Sequence, residues 1–546
     1  MLFAITSNPT VSTQIQSPNK ELQDMPNVIF LIGDGMGPEQ IRAASLVEYG
    51  VENGSIMDTD FPIQYYYTTN AIDGSTTDSA ASGTALATGQ KTKNRIISMD
   101  QTKSIFYKTM LEYLRYDFGY ATGLVSTMII SHATPAVFGS HFENRDDFDA
   151  IRSQEMVQGI DVMLGGGLTS PVFGPDAASA KSKGEAYGYD VATNVNELNS
   201  LDDTSNKLLG VFGGIDHIGY ELDGGVEGAP SLYEMSDSAL RVLDRQNKPY
   251  FIMIEGGLID YAGHLDSIVE NKTAYQIFET IAFEKTVRLA LDYAKADGNT
   301  IVVVGADHET GGFQIFDYDN LDNTLPGPQR TAEENFNIRY TRSYELNASF
   351  KWNAHTDTPV RFFGYGSDFG GYDVQTNADV FWAINSALGR FPTVLNQTYT
   401  ATADNLEVNM GIKDLDSSAN QIGIIVDYAN GTSIEVKSPL QFNQETIFTK
   451  SIAVDSSQAY TAYAKVYDSG TYDVLSFDNE NHLTLQDVTY ITPTTSSSTK
   501  TSTPTTSESS SSSTKSNSSF NPTYLIFIIP MSLVKSKIFN HKMVRH

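Results

Sequence analysis

The chain contains no cysteine. Disulfides and thiolate metal sites are therefore excluded, and any bound metal has to be held by His, Asp, Glu or hydroxyl groups. Histidine is scarce as well, with 9 in 546 residues, so each one beside an acidic motif is informative. Positive charge is in short supply: 36 Lys and Arg stand against 66 Asp and Glu, a formal charge of -30. Such a surface repels nucleic acid, anionic lipid and phosphate esters alike. An anionic substrate would need concentrated local positive charge, which bound divalent cations could supply. Solubility or adaptation to salt explains the same acidity without any substrate. The sequence is 40% hydrophobic and 11% aromatic, in a chain long enough for a large core plus an accessory domain.

Composition divides the chain into five stretches. Residues 1–25 form a polar, irregular leader. Its Met1–Ile5 run is too short for a signal h-region and has no Lys or Arg before it, so the natural start is expected upstream. Residues 26–395 carry an α/β pattern. The apolar runs Asn27–Ile32, Tyr120–Ser126, Asp161–Leu164, Tyr250–Ile254, Thr300–Val304 and Val360–Tyr365 read as buried parallel strands. Segments of helical period lie between them, such as Ala274–Lys295 and Ala378–Leu388, the latter opened by Asn377. This predicts a central, mostly parallel sheet flanked by helices on both faces. Residues 396–492 show short alternating stretches separated by turn signals such as Asn430-Gly431, which predicts a small all-β sandwich domain. Residues 493–520 are rich in Ser and Thr and read as an extended stalk. Residues 521–546 hold the apolar run Tyr524–Val534, broken by Pro530 and followed by Lys535, Lys537, Lys542 and Arg545. Stalk, apolar run and basic end resemble a cell-surface anchor, although the run is shorter than the ~20 residues of a spanning helix. A frayed terminus is the plainer alternative.

Six motifs carry chemistry. Ile32-Gly33-Asp34-Gly35-Met36-Gly37 ends the first strand, at the edge where open α/β sheets bind ligands. An Asp there is also an ordinary turn former. Thr77-Asp78-Ser79 opens an Ala-rich run that Gly89 can close, placing Ser79 at the positive end of a helix. A helix-capping serine is the bland reading of the same residue. Glu255 follows the strand Tyr250–Ile254, and Asp260 and His264, four apart, share one helical face and can grip one ion. Asp307-His308 follows the strand Thr300–Val304, and His355 precedes the last apolar run. Ser131-His132-Ala133-Thr134 is followed by His141 and Arg145. Each histidine alone is more often a capped or core residue than a ligand. Carboxylates at three strand ends (Asp34, Glu255 and Asp307) change that balance, because burying them together unpaired would be strongly destabilising. Oxygen and imidazole donors suit Zn2+ and Mg2+.

From about Asn27 to Pro392 these motifs, in this order, resemble the alkaline phosphatase family. The resemblance implies a phosphomonoesterase with two Zn2+ and one Mg2+ at the carboxyl edge of the sheet, and usually a homodimer. It implies Ser79 as nucleophile and Arg145 as the clamp on the substrate phosphate. Asp260, His264 and His355 would hold the first zinc, and Asp34, Asp307 and His308 the second. Asp34 would bridge to the magnesium, with Thr134 and Glu255 as further ligands. His132 stands where some members have Asp, near the magnesium site, and Tyr261 where some have Lys or His, near the phosphate beside Asp78. The implied reaction is a two-step phosphoryl transfer through a phosphoserine, at neutral to alkaline pH.

Rival readings are a phosphodiesterase on a related scaffold, against which Arg145 argues, and a sulfatase, for which no modification motif is present. A cofactor-independent phosphoglycerate mutase would carry no stalk. A surface adhesion protein with a relic site would have lost ligands, and every expected ligand type is here. The implied partners are small phosphate monoesters, not nucleic acid, with membrane or cell-surface attachment through the C-terminus. Asn-X-Ser/Thr sequences at Asn53, Asn271, Asn347, Asn396, Asn430 and Asn517 are compatible with an extracellular setting.

Overall fold

The computed structural model describes residues 25–104, 106–266, 269–369 and 373–388, together with seven strands between residues 393 and 477. The chain divides into two units, residues 1–494 and 495–546, and all described residues lie in the first. The expected leader up to residue 24, the stalk and the C-terminal apolar run fall outside them.

The strands of the main body are β1 (Asn27–Gly33), β2 (Ile63–Tyr67), β3 (Ala121–Ile129), β4 (Val162–Gly166), β5 (Asp190–Ala192), β6 (Leu208–Phe212), β7 (Tyr250–Gly256), β8 (Thr300–Gly305), β9 (Glu309–Thr310), β10 (Phe313–Asp317), β11 (Asn347–Phe350), β12 (His355–Thr356) and β13 (Val360–Tyr365). Nine of them form one sheet in the order β2-β13-β8-β1-β7-β3-β4-β6-β5. Every residue of β3, β7 and β8 is buried, as continuous Val/Ile/Leu-rich runs demand when helices cover both faces. Helices fill the connections, the longest being Lys272–Asp297, stopped by the left-handed Gly298. β8, β1, β7 and β3 lie side by side, with Ile32 paired to both Gly305 and Glu255, and Glu255 to Ser126. Residues just beyond these positions are therefore brought to one edge, about 5 Å apart from strand to strand.

The fold departs from expectation in three places. Val360–Tyr365 is buried as read, but it runs antiparallel to both β8 and β2. The reason is local. The Asp307–Gly312 segment and the Lys351–Thr356 segment pair with each other, Gly311 N donating to Ala354 O and β12 pairing with β9, so the chain enters β13 from the carboxyl edge rather than the opposite one. Three strands, β2, β5 and β6, were not anticipated. The helix over Asn377–Ala387 is capped by Thr376, not opened by Asn377: Thr376 and Asp379 form a capping box.

The segment expected to be all-β forms two antiparallel sheets. Strands Thr393–Ala401, Asn405–Lys413 and Glu445–Ala453 make one, and Ser433–Pro439, Ala419–Tyr428, Tyr460–Asp468 and Leu475–Phe477 make the other.

Candidate metal centre and nucleophile

Ser79 is the first residue of the helix Ser79–Thr88, and its burial is nearly complete. Its neighbour Asp78, rather than Ser79 itself, is the cap: Asp78 Oδ1 accepts from Ala81 N at 2.9 Å. That leaves the serine hydroxyl free for other contacts, and Ser79 Oγ lies 3.3 Å from His308 Nε2. Ser82 Oγ donates to Asp307 O at 2.6 Å and itself accepts from Asn377 Nδ2, which ties the helix to the end of β8.

Three groups of donor atoms lie at this edge, the atoms of each within 4.8 Å of one another: Asp260 with His264 and His355, Asp34 with Asp307 and His308, and Asp34 with His132 and Glu255. Asp34 belongs to two of them. The geometry of each group suits a cation. His264 Nδ1 contacts Asn353 O at 2.7 Å and His355 Nδ1 contacts Thr77 O at 2.8 Å. Carbonyl oxygens can only accept, so both Nδ1 atoms carry the proton and both Nε2 atoms present a lone pair. Those two Nε2 atoms face each other at 3.0 Å, with Asp260 Oδ1 at 3.2 and 3.5 Å. Opposed lone pairs beside a carboxylate are repulsive unless a cation or proton lies between them. The third imidazole is set the same way: Thr310 Oγ1 donates to Asp260 Oδ1 and so accepts from His308 Nδ1 at 3.2 Å. His308 Nε2 then points at Asp307 Oδ2, 3.1 Å, and Asp34 Oδ1, 3.5 Å. Oriented imidazoles of this kind are the usual outer-shell pattern of metal sites.

The carboxylates tell the same story. Neither oxygen of Asp34 has a hydrogen-bond partner, and Asp307 Oδ2 and Glu255 Oε1 have none either, although all three residues are fully buried. Burial, and then the charges of Asp307, Asp260 and Glu255, push the Asp34 carboxyl well above its ordinary range. Burial pushes Glu255 up to about 7, while the hydroxyls of Ser126 and Thr134 beside it work in the opposite direction. Burial would raise Asp260 too, but the hydrogen bond from His264 and the charges of His308, His264 and His355 hold it below the usual carboxylate range. His132 is pushed down to about 3 by burial and by the Arg145 guanidinium, and His355 to about 4 by burial and His308, so both imidazoles are neutral at physiological pH. Paired and unpaired acids crowded in a buried site call for divalent cations. The residues present fit them.

Gly35 shows why the first motif needs glycine. Its φ is 72°, and a Cβ there would come within 2.8 Å of Thr310 Oγ1 and 2.9 Å of Asp260 Cα. Gly35 N also donates to Asp307 Oδ1 at 3.1 Å.

Arg145 and Tyr261 complete the surroundings. Arg145 Nη1 donates to Asp78 Oδ2 at 3.1 Å and Nη2 meets His132 Nε2 at 3.3 Å. Tyr261 is half-buried, its ring edge-on to His132 at 5.9 Å and to His217 at 6.1 Å. Thr134 lies in the first turn of the helix Ala133–Gly139, fully buried. All of the sequence-predicted residues thus gather around one edge of the sheet. Sequence reasoning did not single out Ser126, Thr310, His217 or the carbonyls of Thr77 and Asn353. Thr310 carried a usable signal, being two residues beyond His308 in a strand-end motif.

The alkaline phosphatase family model matches residues 25–360. Alkaline phosphatase 4 of Bacillus subtilis (strain 168) is 36% identical over 308 residues, which are 53% of this chain and 62% of that protein, so the match spans less than two thirds of that relative. The alkaline phosphatase of Escherichia coli (strain K12) is 29% identical over 428 residues, 67% of this chain and 87% of that protein. Among solved structures, the alkaline phosphatase from the Antarctic bacterium TAB5 superposes with a TM-score of 0.53 at 26% identity, covering 67% of this chain and 98% of that one. A family model that accounts for well over half of the chain, on a fold that gathers these buried acids and imidazoles, makes this chain a member of the alkaline phosphatase family of metal-binding hydrolases.

Proposed function

We propose that the chain hydrolyses phosphate monoesters to an alcohol and inorganic phosphate, through a phosphoserine on Ser79. The observation that supports this most is the contact of the Ser79 hydroxyl, at a helix N-terminus, with His308 of one cation-ready donor group, which shares Asp34 with a second group and stacks on His355 of the third. In this reading two Zn2+ are held by Asp260, His264 and His355 and by Asp34, Asp307 and His308. One Mg2+ is held by Asp34, Thr134 and Glu255, with His132 beside it. When bound, these ions supply the positive charge that eases ionisation of a hydroxyl and offsets charge on a phosphoryl group.

The chain's own residues then divide the work. Ser79 Oγ forms a bond to phosphorus while the ester P–O bond breaks, and the alcohol departs protonated. Water attacks the phosphoserine, the bond to Ser79 Oγ breaks, and the serine hydroxyl is restored as inorganic phosphate leaves. Arg145 presents its planar fork to two phosphoryl oxygens, held for that purpose by Asp78. The helix N-terminus adds its dipole at the same oxygens. Tyr261, whose hydroxyl burial pushes up to about 12, stays neutral and adds no charge to the phosphate, which favours product release.

The test is metal content together with hydrolysis of a generic phosphate monoester, before and after chelation. The expected result is zinc near two per chain, with activity lost on chelation and restored by zinc plus magnesium. Activity indifferent to chelation would overturn the mechanism.

An extracellular or cell-surface setting and a homodimer belong to the same proposal, the first from the Ser/Thr-rich stretch and the apolar run after it, the second from the family resemblance. No helix among the described residues is long and apolar enough to cross a membrane. Cell fractionation and gel filtration test both: recovery of the chain in the cytoplasm, or as a monomer, removes the corresponding part.

A further inference from the structure

A cavity of about 530 Å³ lies beside the metal centre, lined by none of the predicted catalytic or metal-ligating residues. One wall is the start of the helix Lys272–Asp297 and the other is the segment Ser349–Asn353. That second wall belongs to the metal centre as well, since Asn353 O holds His264 Nδ1 and His355 follows two residues later. The Lys272 charge is felt at His264.

Lys272 is out of place for a structural residue. It is only 8% exposed, yet no carboxylate among the described residues comes within ion-pair distance of its ammonium group, which rests 4.2 Å from the centre of the Phe350 ring. The stem of the side chain is buried while the ammonium group still reaches water, so its charge stands open to an incoming anion. Burial lowers its pKa, with Asp266 opposing. A second cation, the exposed Lys351, stands over the Trp352 ring at 5.1 Å. The helix that begins here has no side-chain cap: Asn271 is left-handed, with φ 65°, and its amide donates to Tyr340 Oη instead. Trp352 is 56% exposed and fixed against Gly312, where a Cβ would lie 2.9 Å from the indole Cδ1. In a chain of charge -30, two lysines and an uncapped helix N-terminus around one cavity, with Asp266 the one acid among the described lining residues, make a local site for an anion.

We propose that this cavity receives a second anionic group carried on the alcohol part of the substrate, a phosphate or a carboxylate, with Trp352 as its apolar flank. The enzyme then prefers phosphate esters bearing a further anion over simple monoesters. This rests on the phosphatase reading above.

The experiment compares kcat/KM for fructose bisphosphate with fructose monophosphate, and for phosphoglycerate with glycerol phosphate, in the full metal-loaded chain. The expected preference for the member with the extra anion is about tenfold, the scale of one charge-assisted contact. Lys272→Met and Lys351→Gln should each bring the ratio down toward one, through the KM of the doubly anionic member. Lys351 is exposed, so its variant serves even if Lys272→Met fails to fold. A preference in both pairs points to general anion recognition, and in the sugar pair alone to a phosphate site. Equal rates within each pair, or a preference that both variants leave intact, overturns the inference while the phosphatase reading stands. No hydrolysis of any of the four overturns that reading and the inference with it.

Discussion

Asp78 uses its two carboxylate oxygens for two different tasks: Oδ1 caps the helix that carries Ser79, and Oδ2 accepts from Arg145 Nη1 at 3.1 Å and from Arg95 N at 3.0 Å. The nucleophile and the proposed phosphate clamp are thereby registered to one another by a single side chain. Asp78→Asn keeps an oxygen for the cap and loses the charge that anchors the guanidinium. The expected result is a melting temperature close to that of the parent, with phosphate inhibition weakened about tenfold, the equivalent of one charge-assisted hydrogen bond. Asp78→Ala should lose the cap too, at a cost of about 1 kcal/mol. Unchanged phosphate inhibition in both variants would refute the anchoring role.

Ser79→Ala removes the proposed nucleophile while leaving the Asp78 cap in place. Turnover of a phosphate monoester is expected to fall by at least about a thousandfold, as nucleophile deletions do elsewhere. Acid quenching with radiolabelled substrate should trap covalent phosphate on the parent chain and none on the variant. Substantial turnover without Ser79 would mean that water attacks phosphorus directly.

Asp34 sits in two of the donor groups, whereas His264 sits in one. Metal analysis after extensive dialysis should reflect that asymmetry. Asp34→Asn is expected to lower the bound metal by more than one ion per chain, and His264→Asn by about one, since each loss removes one ligand of few. Chelation of the parent should also lower its melting temperature, because the buried carboxylates of Asp34, Glu255 and Asp307 then lack compensation. Equal stoichiometry in the two variants would dissolve the shared-ligand arrangement.

Much of the centre was legible because its residues are tied to local signals. Asp34 and Asp307 follow apolar runs that could only be strands, Glu255 closes another, and Asp260 and His264 are spaced for one face of the helix Leu258–His264. What escaped depends on contacts across the chain. Ser126 donates to Glu255 across 129 residues, and Asn353 meets His264 across 89, through strand order and register that local patterns do not encode. The direction of β13 was misread because burial looks the same in parallel and antiparallel strands, and only the pairing around Gly311 decides it. β2 escaped because, beside the single partner β13, it alternates half-buried and exposed residues, and β5 because it has three residues. The role of Asp78 was hidden by Ser79 itself, since either residue could cap the same helix.

His141 and Glu112 form a buried pair away from the donor groups, with His141 Nε2 2.7 Å from Glu112 Oε1 and Nδ1 2.8 Å from Ser98 O. Burial alone would lower the imidazole pKa, but the Glu112 charge and hydrogen bond and the Ser98 carbonyl raise it above its ordinary value of 6.5. The folded chain therefore holds this proton more tightly than the unfolded one. The stabilisation is fully present below about pH 6.5 and is lost as pH rises through the folded pKa, with a slope of at most about 1.4 kcal/mol per pH unit. Comparing the parent with His141→Gln by denaturant unfolding across this range lets the other titrating groups cancel. The stability difference should be largest in the acid arm and narrow steadily as the medium becomes alkaline. A difference that stays constant with pH, or grows, would show that His141 is neutral in the folded chain and that Glu112 is held by hydrogen bonds alone.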